Sequence, residues 1–168
     1  MPLITLHTAI NAPAEIVFNL SRSIDLHKIS AAHTNEEAVP PLDRSDVWAR
    51  TSGLMELNET VTWKARHFGI TQHLTVRITA FEQNKSFTDE MVPEGGIFKV
   101  MEHKHLFKEK DGVTLMTDLF YYESPLGILG RLADALFLKR YMHNFLLKRN
   151  LVIKEIAEDE NKRNTLLP

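Results

Sequence analysis

Apolar and polar residues alternate with a period of two through most of the chain, which is typical of strands with one buried face. The alternation predicts strands over 3–10, 59–67, 71–81, 86–92, 97–108 and 113–123. A short apolar run over 54–57 predicts one more strand. The connections between successive strands are short, and residues 109–112 (EKDG) have the composition of a hairpin turn. We therefore expect an antiparallel meander.

Three other segments have helical spacing instead. Pro13 suits the first residue of a helix over about 13–20, and Ser23 suits the N-cap of a second short helix. Ser124 and Pro125 have the same two roles for a long amphipathic helix that runs to about Glu158. Its apolar face comprises Leu126, Leu129, Ala133, Leu136, Phe137, Tyr141 and Phe145. The polar segment 31–46, with two adjacent prolines, predicts a loop.

The order of these elements is one strand, two short helices, about six strands and one long helix, which predicts an α+β fold. A twisted sheet of six or seven strands curls, and the long helix must bury its apolar face on the concave side. Such an arrangement usually leaves a gap at its wide end, where a small ligand can bind. We expect a single domain over residues 1–158 and a frayed tail over 159–168.

Composition narrows the classes of function. The 168 residues are 43% hydrophobic and 25% charged, as in ordinary globular domains, and the net charge of −2 offers no basic surplus for nucleic acid. The absence of cysteine excludes disulfides and thiolate metal sites and suits a reducing compartment. There is no signal-peptide pattern and no apolar run of about 20 residues. We expect a cytoplasmic protein without stable membrane insertion, as a monomer or homodimer.

Several motifs along the whole chain carry a family resemblance. They are INAPAEIVF (10–18), VTWKARHFG (61–69), FTD (87–89), His103 and His105 before Phe107, SPLG (124–127) and GRLAD (130–134). Together they resemble the START-like, or SRPBCC, ligand-binding superfamily, and in particular a bacterial subgroup described as cyclase/dehydrase-like or as related to cell division. The resemblance implies a helix-grip fold that binds an apolar ligand. It brings no agreed catalytic residue, so none is assigned.

Two histidines provide the first candidate chemistry. His103 and His105 lie two residues apart on a predicted strand, so both point to one face. With residues of neighbouring strands they could form a His/carboxylate metal site. The possible further ligands are His67, His73, Asp89 and Asp118. A polar stripe on the solvent face, or a polar pocket wall, is the interpretation we favour, so we expect no metal and no cofactor.

A second possibility is a polar network inside the concave face. Arg66, Asp89 and Asp118 lie on strands near the two histidines and could orient a ligand carbonyl or perform acid–base chemistry. Ordinary surface pairs are the alternative. A shift of one residue in strand register moves every side chain to the other face, so the sequence leaves open which of them point inward.

The candidate ligand-binding set combines these polar residues with apolar ones expected near the cavity. It comprises Trp63, Arg66, Phe87, Asp89, Met91, Phe98, His103, His105, Phe107, Asp118, Tyr121, Leu129, Leu136, Phe137 and Tyr141. Each apolar member is also an ordinary core candidate.

Three functions remain open at this point. The first is non-enzymatic binding of a small apolar molecule such as a lipid, a polyketide or an isoprenoid-like compound. The second is an enzyme of the polyketide cyclase or dehydratase type that uses the polar residues above. The third is an interaction module in stress response or cell division. The sequence has no G-x-S-x-G motif and no phosphate-binding glycine loop, which favours the first.

Overall fold

The computed structural model describes residues 2–41, 46–93, 95–125 and 127–167. The strands are β1 (Leu3–Ile10), β2 (Glu37–Val39), β3 (Ala49–Arg50), β4 (Thr60–His67), β5 (Ile70–Glu82), β6 (Ser86–Met91), β7 (Val100–Lys110) and β8 (Val113–Glu123). The helices are α1 (Ala14–Ser21), α2 (Ile24–Ser30), α3 (Ile128–Ala133), α4 (Lys139–Glu158) and α5 (Glu160–Leu166). A 3₁₀ turn spans Ala32–Thr34, and a π-helical turn, Asp134–Leu138, joins α3 to α4.

These strands form one curled sheet in the order β1-β8-β7-β6-β5-β4-β2. Neighbours along this path are antiparallel, while β3 pairs with β4 in parallel. The concave face packs against the C-terminal helix, where α4 contacts β1, α1 and α2. The predicted α+β architecture, with a long C-terminal helix and two short helices after the first strand, is confirmed.

Two details of the strand prediction are wrong. Residues 54–57 form no strand, because Leu54 makes only an isolated bridge to Ser23. The predicted loop 31–46 contains β2, which pairs with β4 at the sheet edge, and residues 42–45 of this loop lie outside the described part of the chain. Three residues are too few to show an alternating pattern. The strand is held by backbone hydrogen bonds, which do not depend on the type of side chain.

A β-bulge in β5 changes which side chains point inward. Alternation along β5 predicts Ala80 on the same face as Ile78, but the register shifts between these two residues. As a result Ala80 is exposed, while Phe81 turns inward and packs edge-to-face on Phe18 with ring centroids 5.2 Å apart. One extra residue in a strand moves the side chains beyond it to the opposite face.

The C-terminal helix is continuous from α3 through the π turn to α4, because Ala133 and Leu138 keep helical dihedral angles. The buried face of α4 is made by Leu146, Asn150, Ile153, Ile156 and Ala157. A π turn adds a residue relative to an α-helix, so α3 does not continue this face in register.

Gly130 of α3 lies so close to Pro125 that an added Cβ would be 2.0 Å from the Pro125 carbonyl oxygen.

Residues beyond α4 are helical where the sequence predicted a frayed tail. Asp159 caps α5 by accepting hydrogen bonds from the backbone N–H groups of Asn161 and Lys162. Among the described residues, no helix combines the length and the apolar character needed to cross a bilayer.

Candidate functional site

A cavity of about 90 Å³ lies at the wide end of the curled sheet, between β4, β5 and the C-terminal helix. Its walls are mainly apolar. The lining residues are Glu36, Trp63, Ala65, His67, Phe68, Gln72, His73, Leu74, Ile97, Phe98, Leu138, Tyr141, Met142 and Phe145. We call it the wide-end cavity.

An open groove of about 300 Å³ adjoins this cavity under α3 and the π turn. Five residues line both spaces, so the groove borders the cavity: Phe68, Gln72, Ile97, Phe98 and Leu138. Phe68 is 57% exposed and packs edge-to-face on Phe137, with ring centroids 5.5 Å apart. Exposed aromatic residues that gather in one place indicate a binding surface, in contrast to scattered single ones.

One corner of the wide-end cavity is polar. The Tyr141 hydroxyl and His67 Nδ1 form a hydrogen bond of 2.6 Å. Glu36 also lines this cavity, and its Oε1 accepts a hydrogen bond of 3.1 Å from His27 Nε2, whose ring stacks on Trp63 at 4.0 Å. Burial lowers the pKa of His67, which favours its neutral form at pH 7. Burial alone would raise the pKa of Glu36, but His27, His67 and Arg149 together outweigh it and the pKa is lowered, so Glu36 is ionised.

A second polar group, the central network, lies further along the concave face on β6, β7 and β8. Asp118 is its centre. His103 Nε2 donates to Asp118 Oδ1 over 3.0 Å, and His105 Nδ1 lies 2.8 Å from the same oxygen. His105 Nε2 lies 3.3 Å from Asp89 Oδ1. Neither His105 contact is aligned as a hydrogen bond, so the two aspartates hold this ring mainly through charge.

The two histidines of the central network have pKa values shifted in opposite directions. Burial lowers the pKa of His103 to about 4, which leaves this ring neutral. Burial would also lower the pKa of His105, but Asp118 and Asp89 raise it and favour the protonated ring. Burial would raise the pKa of Asp118, yet the two histidines hold it well below its usual range. The network thus combines one cation with two carboxylates.

Helix α4 closes over this network. Asn150 Nδ2 donates to Asp118 Oδ2 over 2.6 Å and to Thr8 Oγ1 over 3.2 Å. His103, His105, Asp118 and Asn150 are all buried. A buried carboxylate with a partner on each oxygen is a stabilising arrangement, since an unpaired one would be costly.

The donor atoms of Asp89, His103 and His105 lie within 4.8 Å of one another, as a His/carboxylate metal site requires. The raised pKa of His105 means that a proton already supplies the positive charge there. A cation would have to displace this proton. That we expect no metal remains a prediction, which zinc titration calorimetry tests.

A smaller cavity of about 60 Å³ lies beside the network, and Phe87, Asp89 and Arg149 are among its lining residues. Arg149 Nη2 donates to the Ser21 carbonyl over 2.7 Å. Trp63 lines both this space and the wide-end cavity.

The structure brings part of the candidate ligand-binding set to these spaces. Trp63, Phe98 and Tyr141 line the wide-end cavity, and Leu129 and Phe137 line its groove. Others lie on the concave face but do not line the wide-end cavity, and two of them, Phe87 and Asp89, line the smaller cavity instead. Those are Phe87, Asp89, Met91, His103, His105, Phe107 and Asp118.

Three candidates lie elsewhere. Arg66 follows Ala65 on β4 and therefore points to the outer face, where it is exposed and its Nε donates to the Gly69 carbonyl. Tyr121 lies between two inward residues of β8 and is half-buried on the outer face. Leu136 is 71% exposed, because the π turn takes this part of the helix out of register with α4. Leu126, expected on the same helix face, lies outside the described residues.

Sequence reasoning missed several residues of both sites. Glu36 was part of a predicted loop, and nothing in the sequence distinguishes it from the adjacent Glu37. Asn150 did have a signal, because it lies four residues after Leu146 and three before Ile153, in the middle of an apolar helical stripe. A polar residue in such a position predicts a buried hydrogen-bond partner.

Comparison with known proteins finds likeness in structure only. No protein-family model matches the chain, and no curated protein matches its sequence. The solved structure of TTHA0849 from Thermus thermophilus is 16% identical, with 99% of this chain and 100% of that chain covered and a TM-score of 0.72. A START superfamily protein from Mycobacterium smegmatis is 11% identical, with 91% and 97% covered and a TM-score of 0.65.

A plant protein has the same architecture. Major latex-like protein 151 from Panax ginseng is 16% identical, with 99% of this chain and 98% of that chain covered and a TM-score of 0.63. Identities this low establish the fold and nothing finer. Together with the curled sheet and its C-terminal helix, they show that the chain has the helix-grip fold of START-like proteins.

Proposed function

We propose that this chain binds a small apolar ligand in the wide-end cavity and its groove, without catalysing a reaction. The observation that carries the proposal is that the cavity and the groove adjoin and share the apolar walls made by Phe68, Phe98 and Leu138. Binding sites for small molecules are concave and mostly apolar with a few polar groups, and this space has that composition.

Size limits how such a ligand can lie. Pockets for drug-sized ligands are usually about 300–1,000 Å³. The cavity of about 90 Å³ is too small on this scale, while the groove of about 300 Å³ is not. The ligand therefore places one end in the cavity and its body in the groove, against Phe98 and Leu138.

The position of the histidines favours binding over acid–base catalysis. His103, His105 and Asp118 are buried and paired with each other or with Asn150. A general acid or base must come within hydrogen-bond reach of its substrate, directly or through one water. None of these three is among the residues that line the wide-end cavity. The cyclase or dehydratase alternative therefore lacks its expected groups at the place where a ligand fits.

The experiment fills the cavity and measures binding of Nile red, a neutral dye that fluoresces in apolar surroundings. Ala65→Phe adds a ring to the cavity wall, which takes up space that part of the dye would occupy. Each CH₂-sized part of the dye that is no longer buried costs ~0.8 kcal/mol of binding free energy, so we expect the Kd of the dye to rise about tenfold or more. Ala80→Phe is the matched control, since Ala80 is exposed on the outer face of β5. It should leave the Kd unchanged.

A dye affinity that is the same in wild type and Ala65→Phe, or no dye binding by wild type, contradicts the proposal. If Ala65→Phe does not fold, Met142→Trp blocks the cavity from the helix side and replaces it in the comparison. Native mass spectrometry of protein purified from its own host then gives the mass of the natural ligand.

A further inference from the structure

One carboxylate oxygen in the wide-end cavity has no partner. The Glu36 side chain is only 8% exposed, and its Oε2 makes no hydrogen bond in the described part of the chain. The other oxygen, Oε1, accepts the hydrogen bond from His27. Glu36 lines a cavity whose other walls are mainly apolar, and its carboxylate has one satisfied and one unsatisfied oxygen.

Local structure fixes this orientation. Asn35 ends the 3₁₀ turn in the left-handed conformation, with φ of 50°, which asparagine adopts more readily than most residues. Glu36 then lines the cavity, and the next residue, Glu37, starts β2 and is exposed. Two successive glutamates therefore have opposite surroundings.

Three polar side chains near Glu36 have hydrogen bonds of their own. Tyr141 and His67 are hydrogen-bonded to each other. His27 uses Nε2 for Glu36 Oε1, and its ring is stacked on Trp63. No protein donor in the described chain hydrogen-bonds Glu36 Oε2, so an occupant of the cavity is the donor that remains for this oxygen.

A buried acceptor without a donor costs about 1–3 kcal/mol, and more when it is charged. Water in the cavity can supply the donor as long as no ligand is bound. A ligand that displaces this water keeps its affinity only if it replaces the hydrogen bond. An alkyl group cannot do so, and a carboxylate would bring a second negative charge against the first.

We propose that the ligand of the wide-end cavity is amphipathic and carries a hydrogen-bond-donating head, a hydroxyl or an ammonium group, which binds Glu36 Oε2. The apolar body lies in the cavity and the groove. Glu36 is then the residue that selects alcohols and amines over carboxylic acids of the same chain length. This inference rests on the proposed function and adds the chemical class of the ligand.

The test uses three probes that differ only in the head group: 1-decanol, n-decylammonium and decanoate. Each displaces Nile red from wild type, Glu36→Gln and the control Glu37→Gln, which removes the same charge one residue away on the surface. In wild type and in Glu37→Gln, decanol and decylammonium should bind about tenfold more tightly than decanoate. In Glu36→Gln this preference should fall below about threefold, mainly because decanoate gains affinity.

The outcomes separate the two proposals. Equal binding of the three probes by wild type, a preference for decanoate, or the same preference in Glu36→Gln overturns the inference while dye binding in the cavity still stands. Failure of wild type to bind the dye overturns the proposed function itself. If wild type prefers decylammonium over decanoate but does not prefer decanol, the head group of the ligand is an ammonium group, and the inference stands in that narrower form.

Glu36→Asp provides a second variant if Glu36→Gln is unstable. It keeps the charge but shortens the side chain, which withdraws the oxygen from the cavity. The advantage of decanol over decanoate should then decrease without a change in net charge. An unchanged advantage contradicts the inference.

Discussion

The wide-end cavity and the central network lie on the same concave face, and both combine histidine with a carboxylate. In the central network each polar atom of Asp118 has a partner, on β7 or on α4. In the wide-end cavity, Glu36 Oε2 has none within the described chain. The central carboxylate is thus hydrogen-bonded on both oxygens in one region, whereas the carboxylate of the other region is hydrogen-bonded on one oxygen only.

The helix above them accounts for the difference. α4 carries Asn150 into the centre of the concave face and closes the network there. Towards the wide end the π turn takes the helix out of register, and Leu129 and Phe137 of the groove stay exposed. The packing of the helix, more than the residues on the strands, therefore determines which polar groups support the fold and which are available to a ligand.

The largest effect in this comparison should come from Asp118→Asn. The variant keeps the shape of the side chain but removes the charge that two histidines contact. Breaking a buried charge pair on one side typically costs 3–5 kcal/mol, so we expect the free energy of unfolding in urea to decrease by about 4 kcal/mol.

Asp111→Asn is the control for this change. Asp111 is exposed in the β7–β8 turn with φ of 54°, a conformation that asparagine also tolerates. Its effect should remain within about 0.5 kcal/mol. Similar values for the two variants would contradict a structural role of the central network.

A somewhat smaller decrease in the free energy of unfolding is expected when the pH is lowered. The pKa of His103 is about 4 in the folded protein, below its ordinary value of 6.5, so the unfolded chain takes up this proton first as the pH falls. The contribution of His103 to stability is therefore present above pH 6.5 and is lost between pH 6.5 and 4. At 1.36 kcal/mol per pKa unit the loss is about 3 kcal/mol.

His103→Gln sharpens this prediction, because glutamine still offers an N–H to Asp118 but does not titrate. Urea unfolding at pH 7 and at pH 4.5 should show a smaller decrease in stability for the variant than for wild type. His105 acts in the opposite direction: its pKa is raised, so its contribution to stability is fully present below its ordinary pKa of 6.5 and cannot account for a loss on acidification. Equal pH dependence of both proteins would place the acid-sensitive group elsewhere.

Much of the fold could be predicted from the sequence, because long strands and the long helix repeat their pattern over many residues. β8 and the N-cap at Ser23 are correct to the residue, the latter through its hydrogen bond from the Leu26 amide. β2 and the bulge in β5 could not be predicted, because neither feature has a distinctive pattern of apolar and polar residues.

The candidate sites were less accessible to sequence reasoning. The central histidines and aspartates could be grouped because they lie on neighbouring strands, but their coverage by α4 depends on tertiary packing. Leu129, Leu136 and Phe137 looked buried because helical spacing assumes a regular helix, and the π turn breaks that assumption. Glu36 depends on a local turn at Asn35 and had no pattern at all.

The central claim is that ligands bind at the wide end and leave the central network undisturbed. Histidine-selective labelling with ¹³C and ¹⁵N lets both regions be followed by NMR while 1-decanol is titrated into the protein. We predict that the ring signals of His67 shift in proportion to occupancy, because its ring lines the wide-end cavity, whereas those of His103 and His105 stay in place. Shifts at His103 and His105 with no change at His67 would contradict the account.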